Sequence, residues 1–323
     1  MTLLVTGGAG YIGSHTVLRL LELGEEVVVL DDLSTGQRTL VPAGVRLVIG
    51  DVGDRNVLAD LLGGRRVEAV IHFAGSIVVP ESVQVPLRYY LNNTVKSQTL
   101  IEACVEFGVR HFIFSSTAAV YGEPERAPVT EEAALQPINP YGRSKLVTEW
   151  MLEDAGRAHG LGYVALRYFN VAGADPRGRS GQMSSKSTHL IKVACEVATG
   201  KRAKLEIFGT DYPTRDGTCI RDYIHVSDLA EAHVAALTHL RHGGASGAFN
   251  CGDGRGYTVL EVVASLSRVL GREIPVVQAA RRPGDSAVLV ADASFIREVL
   301  RWRPQHDDLD FIVRTALDWE RKL

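Results

Sequence analysis

The chain has 323 residues, of which 46% are hydrophobic and 23% are charged, and its formal net charge is -3 at pH 7. This composition is typical of a globular protein with one large domain or two unequal domains, and it excludes a strongly basic nucleic-acid-binding surface. The N-terminal residues carry no basic region and no window of about 18 uninterrupted apolar residues occurs, so we expect neither a secretion signal nor a membrane span.

The cysteines are isolated along the chain and show no C-x-x-C spacing. Each lies in an apolar or glycine-rich context, which is typical of reduced packing residues. We therefore expect a cytoplasmic protein with small-molecule partners and no metal site. The four positions are Cys104, Cys195, Cys219 and Cys251.

The N-terminal residues predict a strand, a glycine turn and a helix, followed by a second strand. The apolar run Leu3–Val5 leads into the glycine-rich segment 7–13, and an apolar pattern with helical spacing then ends at Gly24. The second strand, 26–30, is followed by Asp31. In such a unit the glycines let the backbone approach a pyrophosphate, the helix N-terminus offers free N–H groups, and the carboxylate accepts from ribose hydroxyls.

The residues after the second strand favour NAD over NADP. Asp31 would repel a 2′-phosphate, Asp32 follows it, and the first arginine beyond this strand is Arg38. An ordinary glycine-rich turn is the alternative to a dinucleotide site.

Alternating strands and helices continue and predict a doubly wound parallel sheet. The predicted elements are 45–49, 57–62, 69–73, 87–107, 111–114 and 162–168. Ligands bind beyond the carboxyl ends of such strands, which carry the segments 51–52, 73–75 and 115–117. Ala74 and Gly75 would let a cofactor lie close to the backbone, and Asp51 could accept from an adenine amino group or, alternatively, cap the next helix.

The remainder of the chain predicts a smaller α/β assembly. Residues 170–187 form a long polar stretch without periodicity, as do those from 211 to 223. The predicted elements are helices 190–199, 226–240, 259–270, 293–300 and 308–322 and strands 205–208, 247–250 and 274–277. We expect an NAD-binding domain of residues 1–168 plus about 224–250, and a nucleotide-sugar domain of about 169–223 plus 251–323.

A helix should begin just after Asn139, because proline suits a first helical turn and an apolar pattern follows. Tyr141 and Lys145 stand four residues apart on it, so the phenol and the ammonium should point the same way. By itself the pair could be a solvated surface contact worth a few tenths of a kcal/mol.

The glycines Gly7, Gly10 and Gly13, the hydroxyl of Thr117 after a strand, and the Tyr141/Lys145 pair together resemble the extended short-chain dehydrogenase/reductase family. Within it, segments 112–122, 168–170, 207–209 and 221–226 are similar to the UDP-hexose 4-epimerases, which interconvert UDP-galactose and UDP-glucose, and the likeness covers essentially the whole chain. The resemblance implies a Rossmann-type sheet with a smaller C-terminal substrate domain, tightly bound NAD that is not consumed, and a homodimer formed through helices 87–107 and 141–159.

The resemblance also implies roles for individual residues. Tyr141 matches the catalytic base, Lys145 the catalytic lysine and Thr117 the catalytic hydroxyl. The positions expected to contact the cofactor are Gly7, Gly10, Tyr11, Ile12, Gly13, Asp31, Asp51, Val52, Phe73, Ala74, Gly75, Asn92, Tyr141, Lys145 and Tyr168. The positions expected to contact the substrate are Thr117, Asn170, His189, Leu190, Phe208, Arg221, Arg282, Asp285 and Leu289.

Residue chemistry agrees with a substrate that carries two phosphates. Arg221 and Arg282 are planar bidentate donors, which we expect in loops, and a tight turn at 283–285 should place Asp285 to hold a ribose hydroxyl. A surface ion pair is the alternative for each arginine.

The pKa of Tyr141 should control the reaction. A free phenol has a pKa near 10, and an ammonium about 6 Å away at an effective dielectric of about 20 contributes roughly 2.8 kcal/mol, or about two pKa units. We therefore expect Lys145 to bring the pKa of Tyr141 to about 8, with the remaining decrease coming from the positive ring of oxidised NAD. Tyr141 would then take the proton of the sugar 4′-hydroxyl as the hydride leaves, giving a 4-keto sugar.

Several positions depart from the family pattern. After the Phe-Ala-Gly segment this chain has Ser76 and then Ile77, and Ile77 stands where the best-known bacterial relatives carry a lysine near the cofactor phosphates. His189 stands where many relatives carry an asparagine at the sugar diphosphate. Leu289 replaces a bulky tyrosine, so the pocket is predicted to accept N-acetylated sugars as well, unless Leu289 only packs.

Other functions are compatible with this family. A dehydratase would carry an acidic pair after Thr117, where this chain has Ala118 and Ala119; a decarboxylase or other nucleotide-sugar epimerase is a further alternative. A non-catalytic NAD-binding regulator is the alternative outside enzymes.

Overall fold

The computed structural model describes residues 1–64, 66–184, 187–282 and 285–323. The strands of these residues are β1 Thr2–Thr6, β2 Glu26–Asp31, β3 Arg46–Ile49, β4 Val67–His72, β5 His111–Ser115, β6 Gly162–Tyr168, β7 Asn170–Ala172, β8 Leu205–Phe208, β9 Ile220–His225, β10 Gly247–Cys251, β11 Gly256–Thr258, β12 Val276–Ala279 and β13 Val288–Leu289. The α-helices are α1 Tyr11–Glu22, α2 Arg55–Gly63, α3 Val79–Gln84, α4 Pro86–Tyr90, α5 Lys96–Glu106, α6 Pro140–His159, α7 Leu190–Ala198, α8 Val226–Arg241, α9 Val259–Leu270, α10 Ser294–Val299 and α11 Leu309–Glu320.

A seven-stranded parallel sheet forms the centre of the molecule, in the order β10-β6-β5-β4-β1-β2-β3. Its strands are nearly continuous apolar runs because helices cover both faces, with α1 and α8 on one face and α2, α5 and α6 on the other. The strand order reverses between β1 and β4, and in doubly wound sheets the ligand crevice lies at that switch point. The predicted doubly wound Rossmann-type architecture is confirmed.

Two small sheets lie beyond this layer. In one, β9 pairs with β7, β11 and β13, and in the other β8 pairs with β12. A separate apolar cluster joins α7, α9 and α11 beneath them. Residues 170–172 and 220–223 were expected to be loop, and this prediction is wrong. They form β7 and most of β9, which pair with each other. Backbone hydrogen bonds stabilise these strands, which are too short to show an apolar periodicity. The predicted strand 274–277 is observed two residues later.

The continuous helix predicted over residues 87–107 is also wrong. The chain forms α4 from Pro86, a π-helical turn at 91–95, and only then α5. Asn92 and Asn93 lie in the π turn, and their side chains bond Ser76 in the loop after β4. A π turn commonly marks a functional site, since it changes which face of the helix the side chains occupy.

All four cysteines are buried and free. Of the helices formed by residues 1–64, 66–184, 187–282 and 285–323, none combines the length and the apolarity needed to span a bilayer.

Candidate active site

The glycine turn after β1 lies directly against the end of β4. Gly7 has a φ of 72°, and a Cβ built on it would stand 2.6 Å from the backbone nitrogen of Ala74. A Cβ on Gly13 would stand 2.2 Å from the carbonyl oxygen of Gly7. Only glycine fits these positions, so the first turn of α1 packs close to the switch point and leaves the backbone open to a ligand.

Tyr11 and Ile12 are the first residues of α1, and Gly10 is its N-cap residue. The N–H groups of Tyr11 and Ile12 therefore belong to the set that has no partner within the helix, as a pyrophosphate site requires, whereas Gly10 N donates to the Gly7 carbonyl at 3.1 Å. The Tyr11 side chain has a different role, because its hydroxyl donates to the Gly173 carbonyl at 2.6 Å and ties α1 to the chain after β7.

Asp31 ends β2 and is buried beside the glycine turn. Its Oδ2 accepts from Ala9 N and its Oδ1 from Leu33 N, each at 2.9 Å. Burial raises the pKa of this carboxyl, against the lowering by those two N–H groups. Asp31 therefore shapes the turn as well as standing where a ribose hydroxyl would be received.

Asp51 does not cap the helix that follows it. Asp54 is the N-cap of α2, while Asp51 accepts from Lys96 Nζ at 2.6 Å and from Gly53 N at 2.8 Å. Burial alone would raise the pKa of Asp51, but these two contacts outweigh it and lower the pKa. The carboxylate is thus already engaged on both oxygens, whereas Val52 beside it is buried in the core.

The loop after β4 closes the other side of the switch point. Phe73 N donates to the Thr6 carbonyl at 2.9 Å, and a Cβ on Gly75 would stand 2.9 Å from Asn93 Oδ1 and 3.7 Å from Lys145 Nζ. Gly75 therefore leaves the space through which the cofactor cleft reaches Lys145.

Tyr141, Lys145 and Thr117 meet at the carboxyl end of β5. α6 begins at Pro140, as the sequence predicted, and Asn139 Oδ1 caps it by accepting from Gly142 N at 2.9 Å. Tyr141 is buried and shares a side-chain hydrogen bond with Thr117. Lys145 is 2% exposed, and its Nζ donates to the Ser115 carbonyl at 3.0 Å.

The electrostatics of this cluster differ from the expectation for Tyr141. Burial raises the pKa of the phenol, and the hydrogen bond from Thr117 is the influence that lowers it. The predicted decrease to about 8 through Lys145 is wrong for the protein groups, because the ammonium is directed at the Ser115 carbonyl. Burial lowers the pKa of Lys145 to about 8, and the charge of Glu149 opposes that decrease.

Tyr168 lies close to this cluster at the end of β6. Its hydroxyl is 2.8 Å from Ser115 Oγ, and burial followed by the charge of Tyr141 raises its pKa. The phenol is therefore neutral and can act as a hydrogen-bonding wall.

On the substrate side, β9 brings Arg221 beside Asp285 and Leu289, two other residues expected to contact the substrate. Arg221 is on a strand, where a loop was expected, and its Nη2 lies 3.4 Å from Asp285 Oδ1. Leu289 is paired with Arg221 in the register of β13 and β9, and it packs against the apolar cluster that contains Leu146. Asn170 Nδ2 donates to the Asp222 carbonyl at 3.1 Å, which joins β7 to β9.

Phe208 and Arg282 form a second group. The Arg282 guanidinium carbon stands 3.7 Å from the centroid of the Phe208 ring, so the cation covers one face of an aromatic ring. Positions 283 and 284 of the predicted tight turn lie outside the described residues. His189 is the N-cap of α7, and Leu190, the first residue of that helix, packs near Ile207.

Comparison with known proteins identifies the family. Residues 3–252 match the model of the NAD dependent epimerase/dehydratase family. The chain belongs to that family. It is 61% identical to a UDP-glucose 4-epimerase of Azospirillum brasilense over 320 residues, 99% of this chain and 92% of the relative.

Solved structures of family members superpose closely on this chain. A UDP-glucose 4-epimerase from Brucella ovis in complex with NAD has a TM-score of 0.95 at 48% identity, covering 98% of this chain and 97% of that chain. The UDP-Glc/GlcNAc 4-epimerase of Campylobacter jejuni has a TM-score of 0.88 at 48% identity, covering 100% and 99%. The predicted membership of a nucleotide-sugar epimerase family is thereby confirmed.

Sequence reasoning missed several residues that build this family member's site. Asn93 bonds Ser76 and, through Nδ2 at 3.0 Å, Ser144 Oγ on α6. Glu149 lies under Lys145 in a buried ion pair with Arg167. The helical spacing of Lys145 and Glu149 could have revealed the second of these, whereas the contacts of Asn93 depend on the π turn.

Proposed function

We propose that this chain is an NAD-dependent epimerase that inverts C4 of a UDP-hexose, interconverting UDP-galactose and UDP-glucose through a transient 4-keto sugar. The observation that carries the proposal is the buried cluster of Thr117, Tyr141 and Lys145 beside the glycine cradle of the switch point. Family membership and the high identity to UDP-glucose 4-epimerases support it.

The cradle fits NAD. Gly7 and Gly13 stand where a Cβ would collide with backbone, the first N–H groups of α1 are directed out of the helix, and Asp31 disfavours a 2′-phosphate. We propose that these residues hold the pyrophosphate and the adenosine ribose, with Asn92 and Gly75 lining the cleft toward Lys145. When bound, NAD would supply a reversible hydride acceptor for C4 of the sugar, so the reaction would cause no net oxidation.

The protein groups move the proton. Tyr141 takes the proton of the 4′-hydroxyl and later returns it, while the Thr117 hydroxyl bonds the same oxygen and stabilises the phenolate. Because burial raises the pKa of Tyr141, the phenol is a weak base until a cation lies beside it. The base should therefore be strong with oxidised NAD and weaker with the reduced cofactor.

We propose that the smaller sheets hold the uridine diphosphate while the attached 4-keto sugar ring rotates between the two hydride transfers. Arg221 and Arg282 are the cations for the diphosphate, and Asp285 holds a ribose hydroxyl. We propose that residues 1–168 and about 224–250 form the NAD-binding domain and that about 169–223 and 251–323 form the nucleotide-sugar-binding domain. The observed pairs Arg221–Asp285 and Arg282–Phe208 support this assignment.

Incubation of the purified protein with UDP-galactose and no added cofactor tests the proposal. We expect chromatography to show UDP-glucose and no NADH release, because NAD remains bound throughout. A dehydratase would release a 4-keto-6-deoxy sugar, a decarboxylase would require a uronic acid, and a binding regulator would leave UDP-galactose unchanged. The short Ala118/Ala119 segment carries no acid and base for loss of water.

Leu289 supports a broader substrate range. Leucine is shorter than the tyrosine that the family resemblance implies for some relatives, and Leu289 lies next to Arg221 on the substrate side. We propose that UDP-N-acetylglucosamine is also accepted, a substrate class named for the Campylobacter jejuni relative. Leu289→Tyr should reduce kcat/KM for the N-acetylated sugar at least tenfold while leaving UDP-glucose nearly unchanged; an inactive wild type toward the N-acetylated sugar would contradict this.

We also propose that the protein is a cytoplasmic homodimer. The buried, free cysteines are consistent with a reducing compartment. Apolar side chains of α4 and α6 are exposed, among them Leu87 at 80% and Trp150 at 52%, and such a patch suits contact with a second copy.

A further inference from the structure

One helical turn beyond Lys145, α6 carries a buried carboxylate that the proposed reaction does not use. Glu149 Oε2 lies 2.6 Å from Arg167 Nη2 and 3.1 Å from Arg167 Nε, and the Ser116 hydroxyl donates to Oε1. The side chains of Glu149 and Arg167 are each 6% exposed. Arg167 Nη1 also donates to the Tyr121 hydroxyl oxygen at 3.0 Å. An ion pair this deeply buried is retained only where its geometry is well satisfied.

Ser116 connects that ion pair to the catalytic cluster. It lies between Ser115, whose carbonyl accepts from Lys145 Nζ at 3.0 Å, and Thr117, whose hydroxyl bonds Tyr141. The Ser116 N–H donates to the Phe114 carbonyl at 3.0 Å, so this segment leaves β5 in a turn. Fixing Ser116 therefore fixes both the acceptor of the lysine and the position of the catalytic hydroxyl.

We propose that Glu149 is a positioning residue, which holds the 115–117 segment in place through Ser116 and stabilises the Lys145 ammonium with its own charge. The effect of Glu149 on catalysis rests on the proposed epimerase function. The effect of Glu149 on the charge state of Lys145 does not, because the ion pair and the lysine are properties of the folded chain.

Among the residues that the structure describes, the other groups around Lys145 supply no competing negative charge. His72 on β4 is bonded by the hydroxyls of Thr6 and Ser97, and burial followed by the charge of Lys145 lowers its pKa to about 3, so it is neutral. The phenols of Tyr141 on α6 and Tyr168 on β6 have raised pKa values and are neutral too.

Arg167, also on β6, is a cation, and from β5 the Phe114 ring lies 4.9 Å from Lys145 Nζ. Glu149 is the charged group that raises the pKa of Lys145 against burial. Removing its charge should lower that pKa below about 8, so the ammonium loses its proton at a lower pH.

Three variants separate the two effects. Glu149→Gln removes the charge, and the double variant Glu149→Gln/Arg167→Met does so without leaving a buried arginine unpaired. Ser116→Ala keeps the ion pair and removes only its link to the segment. Glu153→Gln is the matched control, because Glu153 is the next turn of α6 and pairs with Arg157 at the surface.

Two readouts are needed for each protein. The first is kcat and KM for UDP-galactose between about pH 6 and 10, a range that spans the titration of a buried lysine. The second is the titration of the side-chain carbons of labelled lysine by NMR, with Lys145 assigned from a Lys145→Met sample. The second readout needs no turnover, so it distinguishes failure of this inference from failure of the proposed function.

We expect Glu149→Gln to shift the Lys145 titration and the alkaline limb of kcat by about one pH unit or more toward acid. The double variant, which also removes the Arg167 cation, should shift both in the same direction by a smaller amount. Ser116→Ala should lower kcat about tenfold, equivalent to about 1.4 kcal/mol, with KM unchanged and the Lys145 titration nearly retained. Glu153→Gln should match the wild type in every measurement.

A wild-type Lys145 titration in Glu149→Gln, or in the double variant if Glu149→Gln does not fold, would overturn the electrostatic part, and wild-type kcat in Ser116→Ala would overturn the positioning part. An equal shift in Glu153→Gln would overturn the specificity of Glu149. If Glu149→Gln alone does not fold, the double variant and Ser116→Ala decide the matter. Inactive wild type with a shifted Lys145 titration in the double variant would reject the epimerase proposal and retain the role of Glu149.

Discussion

The proposed chemistry depends on the hydroxyl group of Tyr141. Tyr141→Phe removes this oxygen from a buried ring that otherwise keeps its packing, so fold and NAD content should be retained while kcat falls by about three orders of magnitude or more. Chromatographic turnover of UDP-galactose, with released NAD measured after denaturation, checks both expectations. Tyr163→Phe, on the same sheet but away from the cluster, should keep wild-type kcat; activity near wild type in Tyr141→Phe would remove the phenol from the mechanism.

At the residue scale, spacing predicted which side chains converge but not their charge states. The i, i+4 rule placed Tyr141 and Lys145 on one buried face of α6, as observed. It could not give the direction of the Lys145 ammonium, which is set by a carbonyl 30 residues earlier in the chain, at Ser115. Electrostatic expectations from a pair alone therefore failed for the pKa of Tyr141, where burial is the largest influence.

The glycine turn between β1 and α1 can be tested as an element. Gly7→Ala should reduce bound NAD strongly and lower the melting temperature, because its Cβ would collide with the Ala74 backbone in addition to the cost of a positive φ. Gly24→Ala is the matched control: φ there is +78°, but no atom of the described part of the chain lies within 4 Å of the added Cβ. Equal loss of NAD in both variants would show that the backbone conformation, and not the close approach, is what matters.

At the element scale, long periodic segments were predictable and breaks in them were not. The helix 259–270 and the strands 162–168 and 205–208 have the predicted bounds. The helical prediction across 87–107 failed because apolar spacing continues through a π turn, which is stabilised by contacts of Asn92 and Asn93 with a distant loop. Strands as short as β7 and β13 owe their existence to the partner β9 and leave no periodic signal.

For the whole molecule, stability should depend on pH through the junction of the main sheet and the small sheet. Burial, followed by the charge of Asp222 on β9, raises the pKa of Asp253 just after β10 to about 7. Arg255 and Arg297 oppose this increase, while Asp307 adds to it. Because the folded pKa exceeds the unfolded value of about 3.9, the stability from this carboxyl is fully present below about pH 4 and is lost as pH rises through about 7.

Asp253→Asn isolates that contribution. The amide resembles the protonated carboxyl, so the variant and the wild type should melt at similar temperatures at about pH 4, and the variant should melt a few degrees higher at about pH 8. Thermal unfolding followed by circular dichroism at both pH values measures the difference. Asp318→Asn, an exposed carboxylate on α11, should show no such pH-dependent gain; a variant less stable than wild type at pH 8 would contradict the assigned sign.

The proposed assembly can be tested through the apolar side chains that α4 and α6 expose. Leu87→Glu combined with Trp150→Glu places two charges on this surface, where a contacting copy would have to desolvate them without partners, so a dimer should dissociate. Light scattering after gel filtration should give twice the chain mass for the wild type and the chain mass of 35.1 kDa for the variant. Leu260→Glu on α9, which is also partly exposed, is the control and should leave the dimer intact. Tyr141 and Lys145 lie on the buried face of α6, the helix whose exposed face would form the contact. Dissociation should therefore also lower the melting temperature of the protein. A monomeric wild type, or a dimer that survives both charges, would place the contact elsewhere on the molecule.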